Sequence, residues 1–210
     1  DVFFHEYVEM DRKALQGLPA EERRARISDL RAADRRQGRD FMEWWLAEMV
    51  NGESPLRERM VLFWHGLFTS SVTKVKRSQP LIIQNEFFRA GALGSYSEML
   101  HGILQDPAML LYLDNNTNKK DSPNENLARE LMELFTLGEG NYTEEDVVQA
   151  ARALTGRTVT RGRAYRFNER QHDKGEKTIL GKTGNFDGDD LANLLLAEEA
   201  CPRWIAGRLI

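Results

Sequence analysis

The segment DNNTNKKDSPNE, residues 114–125, carries oxygen-bearing side chains at the spacing of a calcium-binding EF-hand loop. The loop positions 1, 3, 5, 9 and 12 are filled by Asp114, Asn116, Asn118, Ser122 and Glu125. Two other positions depart from the pattern, since a lysine replaces the sixth-position glycine and an aspartate replaces the apolar eighth residue. One hypothesis is therefore a site for calcium or another divalent cation, with the ligands Asp114, Asn116, Asn118 and Glu125.

The same segment also predicts an ordinary helix start. Ser122 would be the N-cap, Pro123 the first helical residue, and Glu125 the third residue of a capping box. On this interpretation the carboxylates of the loop are balanced by its two lysines and not by a metal ion. Both interpretations remain open from the sequence.

Glu58 and His65 lie two turns apart on one side of a predicted helix, beside an aromatic stripe. A carboxylate that orients an imidazole fixes its tautomer and raises its basicity, which general base catalysis or metal binding would use. The alternative is a partly buried histidine that is hydrogen-bonded for structural reasons.

The segment NENLARELMELF predicts a helix whose leucines form a buried stripe and whose charged residues lie on other faces. Arg129 and Glu130 stand among these charged residues. They are interpreted either as ordinary surface ion pairs or as members of a site in which Arg129 stabilises an anionic substrate.

A further candidate is the dipeptide His172-Asp173, which resembles the His-Asp pair of helical metal-dependent phosphohydrolases. In such enzymes the pair lies on a core helix, whereas here it lies in a segment rich in glycine and lysine. A solvated turn is therefore the alternative.

The composition of the chain limits which kinds of partner it can bind. The 210 residues include 41% hydrophobic residues and carry a net charge of −4, with both signs mixed along the chain. We expect neither nucleic acid nor anionic lipid as a partner, because no field of a single sign would attract them. No apolar run approaches the length of a membrane span. The single cysteine, Cys201, excludes an internal disulfide but leaves the compartment open.

Prolines at expected helix starts, and Gly138 and Gly156 as expected helix ends, predict an all-α, bundle-like chain. The pattern changes only between residues 157 and 188, where TVTRGRAYRF predicts a small β-hairpin around Arg161-Gly162, followed by a loop. We expect one domain over residues 1–210, in which residues 1–156 are helical, residues 157–188 form the hairpin and loop, and residues 189–210 form C-terminal helices. The chain ends within an apolar pattern, which predicts that it belongs to a longer protein.

Four long segments closely resemble the bacterial family called domain of unknown function 1800, from about residue 31 to the end. They are LRAADRRQGRDFMEWWLAEM, RERMVLFWHGLFTSSVTKV, DPAMLLYLDNNTNKKDSPNENLARELMELFTLGEGNYTEEDVVQAARALTG and HDKGEKTILGKTGNFDGDD. The resemblance implies a mainly helical, exported or periplasmic protein, with a second exported protein of a sulfatase-like family as a partner. It also implies that the characteristic motif positions include Glu58, His65, Glu130 and His172.

Together these observations predict a polar site built from Glu58, His65, the helix with Arg129 and Glu130, and His172-Asp173. As an enzyme the protein would be a hydrolase, metal-assisted or not, with His65 or His172 as the base. Ligand binding without catalysis fits the same residues. The rival hypothesis is a scaffold or surface-assembly module, in which these residues form a buried structural network.

Overall fold

The protein is mainly helical, which confirms the predicted fold class. The computed structural model describes residues 12–160 and 164–209. Its α-helices, in chain order, are α1 Arg12–Gln16, α2 Ala20–Asn51, α3 Pro55–Leu67, α4 Val72–Val75, α5 Ser78–Ala90, α6 Tyr96–Ile103, α7 Pro107–Tyr112, α8 Asn126–Glu130, α9 Glu144–Ala153, α10 Gly188–Leu196 and α11 Ala200–Leu209. Short 3₁₀ turns occupy Asn115–Thr117 and Glu169–Gln171, and α8 continues into a π-helical turn, Leu131–Thr136. In the described portion of the chain, no helix combines the length and the apolar character that a membrane crossing needs.

Within the described residues, the β structure consists of two hairpins. The first pairs β1, Arg157–Val159, antiparallel with β2, Tyr165–Phe167, as predicted. The tip expected at Arg161-Gly162 lies outside the described residues. The second pairs β3, Lys177–Ile179, with β4, Lys182–Gly184, in a segment expected to be a loop.

The turn of the second hairpin explains why it forms. Leu180 and Gly181 join β3 to β4 and have φ angles of 50° and 74°. Positive φ at both central residues is the geometry of a two-residue type I′ turn, whose twist matches that of antiparallel strands. A leucine is an unusual residue at the first of these positions, which is why the sequence did not predict the turn.

The hydrophobic core is built from α3, α5, α6, α7, α8 with its π-helical turn, α9 and α10. Its largest side chains include Phe68 and Phe88, which are fully buried. The indole N–H of Trp64 donates to the carbonyl of Ala92 at 3.1 Å, so this tryptophan is buried without losing its hydrogen bond. Ile179 of β3 also belongs to the core, which attaches the second hairpin to the helices.

The start of α8 differs from the prediction. Ser122 forms an isolated β-bridge with Lys119, and the side-chain oxygen of Asn118 accepts the backbone N–H of Asn124 at 3.0 Å. These bonds hold the chain in a turn, so the helix begins only at Asn126. Ser122 was therefore wrong as an N-cap.

Gly156 ends the segment after α9, as predicted. Its φ is +83°, and a Cβ atom at this position would lie 2.7 Å from the carbonyl oxygen of Asn168. Its backbone N–H donates to the carbonyl of Asn118 at 3.2 Å. A glycine is required here because the backbone is left-handed and two other segments approach it closely.

Candidate functional site

The residues predicted for function fall into three clusters. The first surrounds the loop of residues 114–125, the second joins α2, α3 and α5 around Glu58 and His65, and the third joins α9 to the segment that contains His172-Asp173.

In the loop, the buried amide side chains bind the backbone of neighbouring segments. Asn118 donates to the carbonyl of Ala151 at 2.9 Å and to the side-chain oxygen of Asn115 at 3.0 Å. Asn115 in turn donates to the carbonyls of Arg157 and Leu154, at 2.9 and 3.3 Å. Asn118, one of the predicted cation ligands, therefore fastens the loop to α9 and β1.

The other predicted cation ligands lie nearer the surface. Asp114 has a left-handed φ of 58°, and its carboxylate accepts from Lys74 Nζ at 2.7 Å and from Asn126 at 3.3 Å. Glu125 pairs with Arg129 at 3.1 Å, and the carbonyl of Asn116 accepts from Thr158. Within residues 12–160 and 164–209 no three His, Cys, Asp or Glu side chains are arranged to hold a metal ion. The cation site stays a prediction.

Glu58 lies at the start of α3 and is almost fully buried, with 2% exposure. Its carboxylate accepts from the guanidinium of Arg89, from Arg57 Nε at 3.4 Å and from the indole N–H of Trp45 at 3.2 Å. The buried charge is thus compensated by a cation and by hydrogen bonds, as a buried carboxylate requires.

His65, two turns later on α3, has different partners. Its Nε2 lies 3.1 Å from the side-chain nitrogen of the buried Asn85, and its ring packs against those of Trp45 and Phe88, at centroid distances of 4.9 and 4.7 Å. Burial lowers the pKa of His65 to about 4. Trp45 touches both His65 and Glu58, but each of these two has hydrogen-bond partners of its own.

The tautomer of His65 follows from its partner. In this orientation of the Asn85 amide, its N–H donates to Nε2 of His65 and the ring proton lies on Nδ1, while the buried Oδ1 of Asn85 has no hydrogen-bond partner among the described residues. The imidazole is neutral near pH 7 and offers an N–H donor. This arrangement supports a hydrogen-bonding role for His65 more directly than the base role inferred from the sequence.

Arg129 and Glu130 lie on α8. The guanidinium of Arg129 binds both oxygens of Glu144 at 2.8 Å and also reaches Glu125, and these carboxylates raise its pKa. Burial, and to a lesser degree the nearby Glu133, raise the pKa of Glu130. Glu133 accepts the phenol of Tyr142 at 3.1 Å.

The π-helical turn after α8 leaves carbonyl groups that side chains satisfy. Trp204 donates to the carbonyl of Leu134 at 2.8 Å, and Asn141 donates to that of Leu137 at 2.9 Å. Tyr96 donates to the carbonyl of Phe135. Although π-helical turns often mark functional sites, here the turn is fixed by side chains from other segments.

The dipeptide His172-Asp173 is held in place by contacts with other segments and is not a solvated turn. His172 is 9% exposed and lies with Nδ1 3.0 Å from the carbonyl of Thr155. Asp173 binds Arg152 of α9, which lowers the pKa of its carboxyl. The buried Lys177 donates from Nζ to the carbonyls of Asp173 and Gly175 at 2.7 and 2.8 Å.

A groove with an apolar wall was not predicted from the sequence. It is a groove of about 1210 Å³ between α2 and α5, with Phe41, Trp45 and His65 among its lining residues. Arg31, Arg35 and Arg39 of α2 line it as well. Their spacing of four residues was visible in the sequence and places three like charges along one face of a helix.

The sequence matches the family described as "Protein of unknown function (DUF1800)" over residues 5–210. The chain belongs to this family. The resemblance seen in the four long segments is thereby confirmed. No curated protein and no solved structure matches the chain. The DUF1800 match itself carries no activity, cofactor, partner or location, so export and a sulfatase-like partner stay predictions.

Proposed function

We propose that this DUF1800 domain binds a ligand that carries a phosphate or sulfate ester, in the groove between α2 and α5. The observation that carries the proposal is the row of Arg31, Arg35 and Arg39 on the wall of the groove. Like charges four residues apart destabilise a helix. A bound anion would offset that repulsion, and arginine is the residue best suited to bind its oxygens.

The charge balance of the groove supports an anionic ligand. Asp34 lines the groove but already binds Arg77 Nε at 3.1 Å and the backbone N–H of Ser78 at 3.2 Å. Arg31, Arg35 and Arg39 make no ion pair with any described residue. Lys76 adds a fourth cation, and Glu43 is the remaining lining carboxylate.

The rest of the groove suits an organic body attached to the ester. Phe41 and Trp45 give it aromatic lining, and Ile82 of α5 adds an apolar side chain to the lining. His65 adds an N–H donor on Nδ1 that does not need to change its protonation state near pH 7. Apolar walls with a few placed polar groups are typical of small-molecule sites.

The test is a titration of the protein with 4-nitrophenyl phosphate and 4-nitrophenyl sulfate, followed by calorimetry. We expect saturable binding that weakens about tenfold or more in Arg35→Ala and in Arg39→Ala, because each loses a charge-assisted hydrogen bond. Arg36→Ala is the matched control, since Arg36 is an exposed arginine of the same helix that does not line the groove. Equal weakening in all three variants, or no binding by the wild type, would refute the proposal.

The same compounds test for hydrolysis, because turnover releases 4-nitrophenol. Turnover lost in His65→Gln would establish the hydrolase that the sequence suggested. We expect binding without turnover, since the Nε2 lone pair of His65 is engaged by Asn85.

A further inference from the structure

A second pocket lies at the C-terminal end of α5, beside the buried pair of Glu58 and Arg89. It has a volume of about 390 Å³, and its lining includes Arg57, Glu86, Arg89 and Leu93. It is separate from the groove described above, with which it shares no lining residue.

The guanidinium of Arg89 is only partly used by the protein. Its Nη1 binds Glu58, and its plane lies 4.9 Å from the ring centre of Trp44. Its Nε and Nη2 are buried and have no hydrogen-bond partner among residues 12–160 and 164–209. These two N–H groups form one edge of the guanidinium, the edge that binds the two oxygens of a carboxylate side by side. A buried and unsatisfied pair of donors costs free energy unless a ligand fills it.

A group of opposite charge beside this edge is also unsatisfied. The Oε1 atom of Glu86 is buried, has no hydrogen-bond partner in the described part of the chain, and lies 3.9 Å from Arg89 Nε, too far for a hydrogen bond. Burial raises the pKa of Glu86, and a bound ammonium group would offset that effect. Two lining residues of the pocket, Arg89 and Glu86, thus hold two unused donors and a carboxylate acceptor next to each other.

The formal charges of the pocket cancel. Arg57 and Arg89 are balanced by Glu58, which both contact, and by Glu86. A ligand without net charge therefore fits the pocket better than a simple anion does. Ala90, Ala92 and Leu93 provide its apolar wall.

We propose that this pocket binds an α-amino acid with an apolar side chain. The carboxylate lies on the Nε and Nη2 edge of Arg89, the ammonium donates to Glu86, and the side chain packs on Leu93. An α-amino acid carries its carboxylate and its ammonium on one carbon, which matches the short separation of Arg89 and Glu86.

Thermal melts with three related compounds test the assignment. They are L-leucine, leucinamide, which lacks the carboxylate, and 4-methylpentanoate, which lacks the ammonium. We expect L-leucine to raise the melting temperature by several degrees at saturation, since a ligand that binds only the folded state stabilises it. Leucinamide and 4-methylpentanoate should raise it much less. No shift with L-leucine, or equal shifts with all three compounds, would overturn the proposal.

Substitutions of lining residues test whether L-leucine binds in this pocket. Glu86→Gln removes the charge that holds the ammonium and should weaken binding of L-leucine about tenfold. Leu93→Glu places a carboxylate on an exposed position of the apolar wall and should weaken it further. Glu199→Gln is the control, because Glu199 also pairs with an arginine but on the exposed face of α11. Binding that persists unchanged in both Glu86→Gln and Leu93→Glu would place L-leucine elsewhere and refute the site.

The two proposals fail independently. Arg35→Ala should leave binding of L-leucine unchanged, and Glu86→Gln should leave binding of 4-nitrophenyl phosphate unchanged.

Discussion

Arg152 of α9 binds both carboxylate oxygens of Asp173, from Nε at 2.7 Å and from Nη2 at 3.3 Å. Each side chain is largely buried, with 25% and 17% exposure. The backbone N–H of Gly175 donates to the same carboxylate at 2.8 Å. This pair therefore closes the segment after the first hairpin onto α9, and it gives Asp173 a structural role that needs no substrate.

Asp173→Asn should destabilise the protein by about 1–3 kcal/mol, because Arg152 loses a charged partner in a partly buried position. The destabilisation by Asp173→Asn should have its full size at pH values above the pKa that this carboxyl has in the unfolded chain, and it should become smaller at lower pH. The pKa of Asp173 is lowered in the fold, so its stabilisation is present above the unfolded pKa and is lost as the pH falls through the folded one. Urea unfolding at several pH values measures this.

The control for this prediction is Glu169→Gln, which breaks the exposed pair of Glu169 and Lys174 in the same segment. We expect a change within about 0.5 kcal/mol there. A cost for Asp173→Asn no larger than that of the control would contradict the structural role.

Glu58→Gln should be the most destabilising of these changes, at about 3–5 kcal/mol, because Glu58 is buried and its loss leaves the guanidinium of Arg89 without its buried counter-charge. Glu53→Gln, an exposed change just before α3, is the matched control. Denaturant unfolding distinguishes a structural role of Glu58 from a catalytic one. Substitution of a catalytic carboxylate often leaves the free energy of unfolding unchanged or raises it, whereas loss of a buried structural charge lowers it.

The sequence predicted the helices better than the contacts between them. Prolines and stop glycines act within a few residues of a helix end, so they are visible in the sequence, and Pro55 and Pro107 are indeed the first residues of α3 and α7. The pairing of Glu58 with Arg89 and of His65 with Asn85 joins α3 to α5, and no local spacing predicts it. The start of α8 was placed too early because Asn118, a residue outside the capping motif, holds the backbone of Asn124.

Calcium should not change the melting temperature. The side chain of Asn118 already makes three hydrogen bonds inside the protein, and Glu125 pairs with Arg129. Melts in calcium, in other divalent ions and in chelator are therefore expected to coincide, and Glu125→Gln should cost at most about 0.5 kcal/mol, as for an exposed ion pair. A rise in calcium that disappears in Glu125→Gln would instead establish the cation site.

Asp106 should make the protein less stable at alkaline pH. It caps α7 by accepting the N–H of Met109, and it accepts from Gln84, both at 2.7 Å. Burial nevertheless raises its pKa from 3.8 to about 7. Because the folded pKa is raised, the stabilisation is present below the unfolded pKa and is lost as the pH rises through about 7.

Asp106→Asn tests this directly, because the amide oxygen still accepts from Met109 and Gln84 and carries no charge. Relative to the wild type, the variant should gain stability between about pH 5 and about pH 8, by on the order of a few kcal/mol. A difference in unfolding free energy that is the same at both pH values would contradict the raised pKa.

The contribution of His65 to stability should change with pH in the opposite direction to that of Asp106, over nearly the same pH range. Its pKa is lowered from 6.5 to about 4 by burial, so between these values the unfolded chain binds a proton that the folded chain does not. This contribution to stability is therefore complete above about pH 6.5 and is lost as the pH falls towards 4. In the wild type it opposes the contribution of Asp106, and we expect a shallow dependence of stability on pH between these limits. His65→Gln removes one side of this balance, so stability should then fall steadily as the pH rises through that range. NMR of the imidazole nitrogens measures the pKa of His65 directly. We expect the ring to be still neutral one pH unit below the ordinary histidine pKa. Titration of His65 near pH 6.5 would show that it is not buried as described.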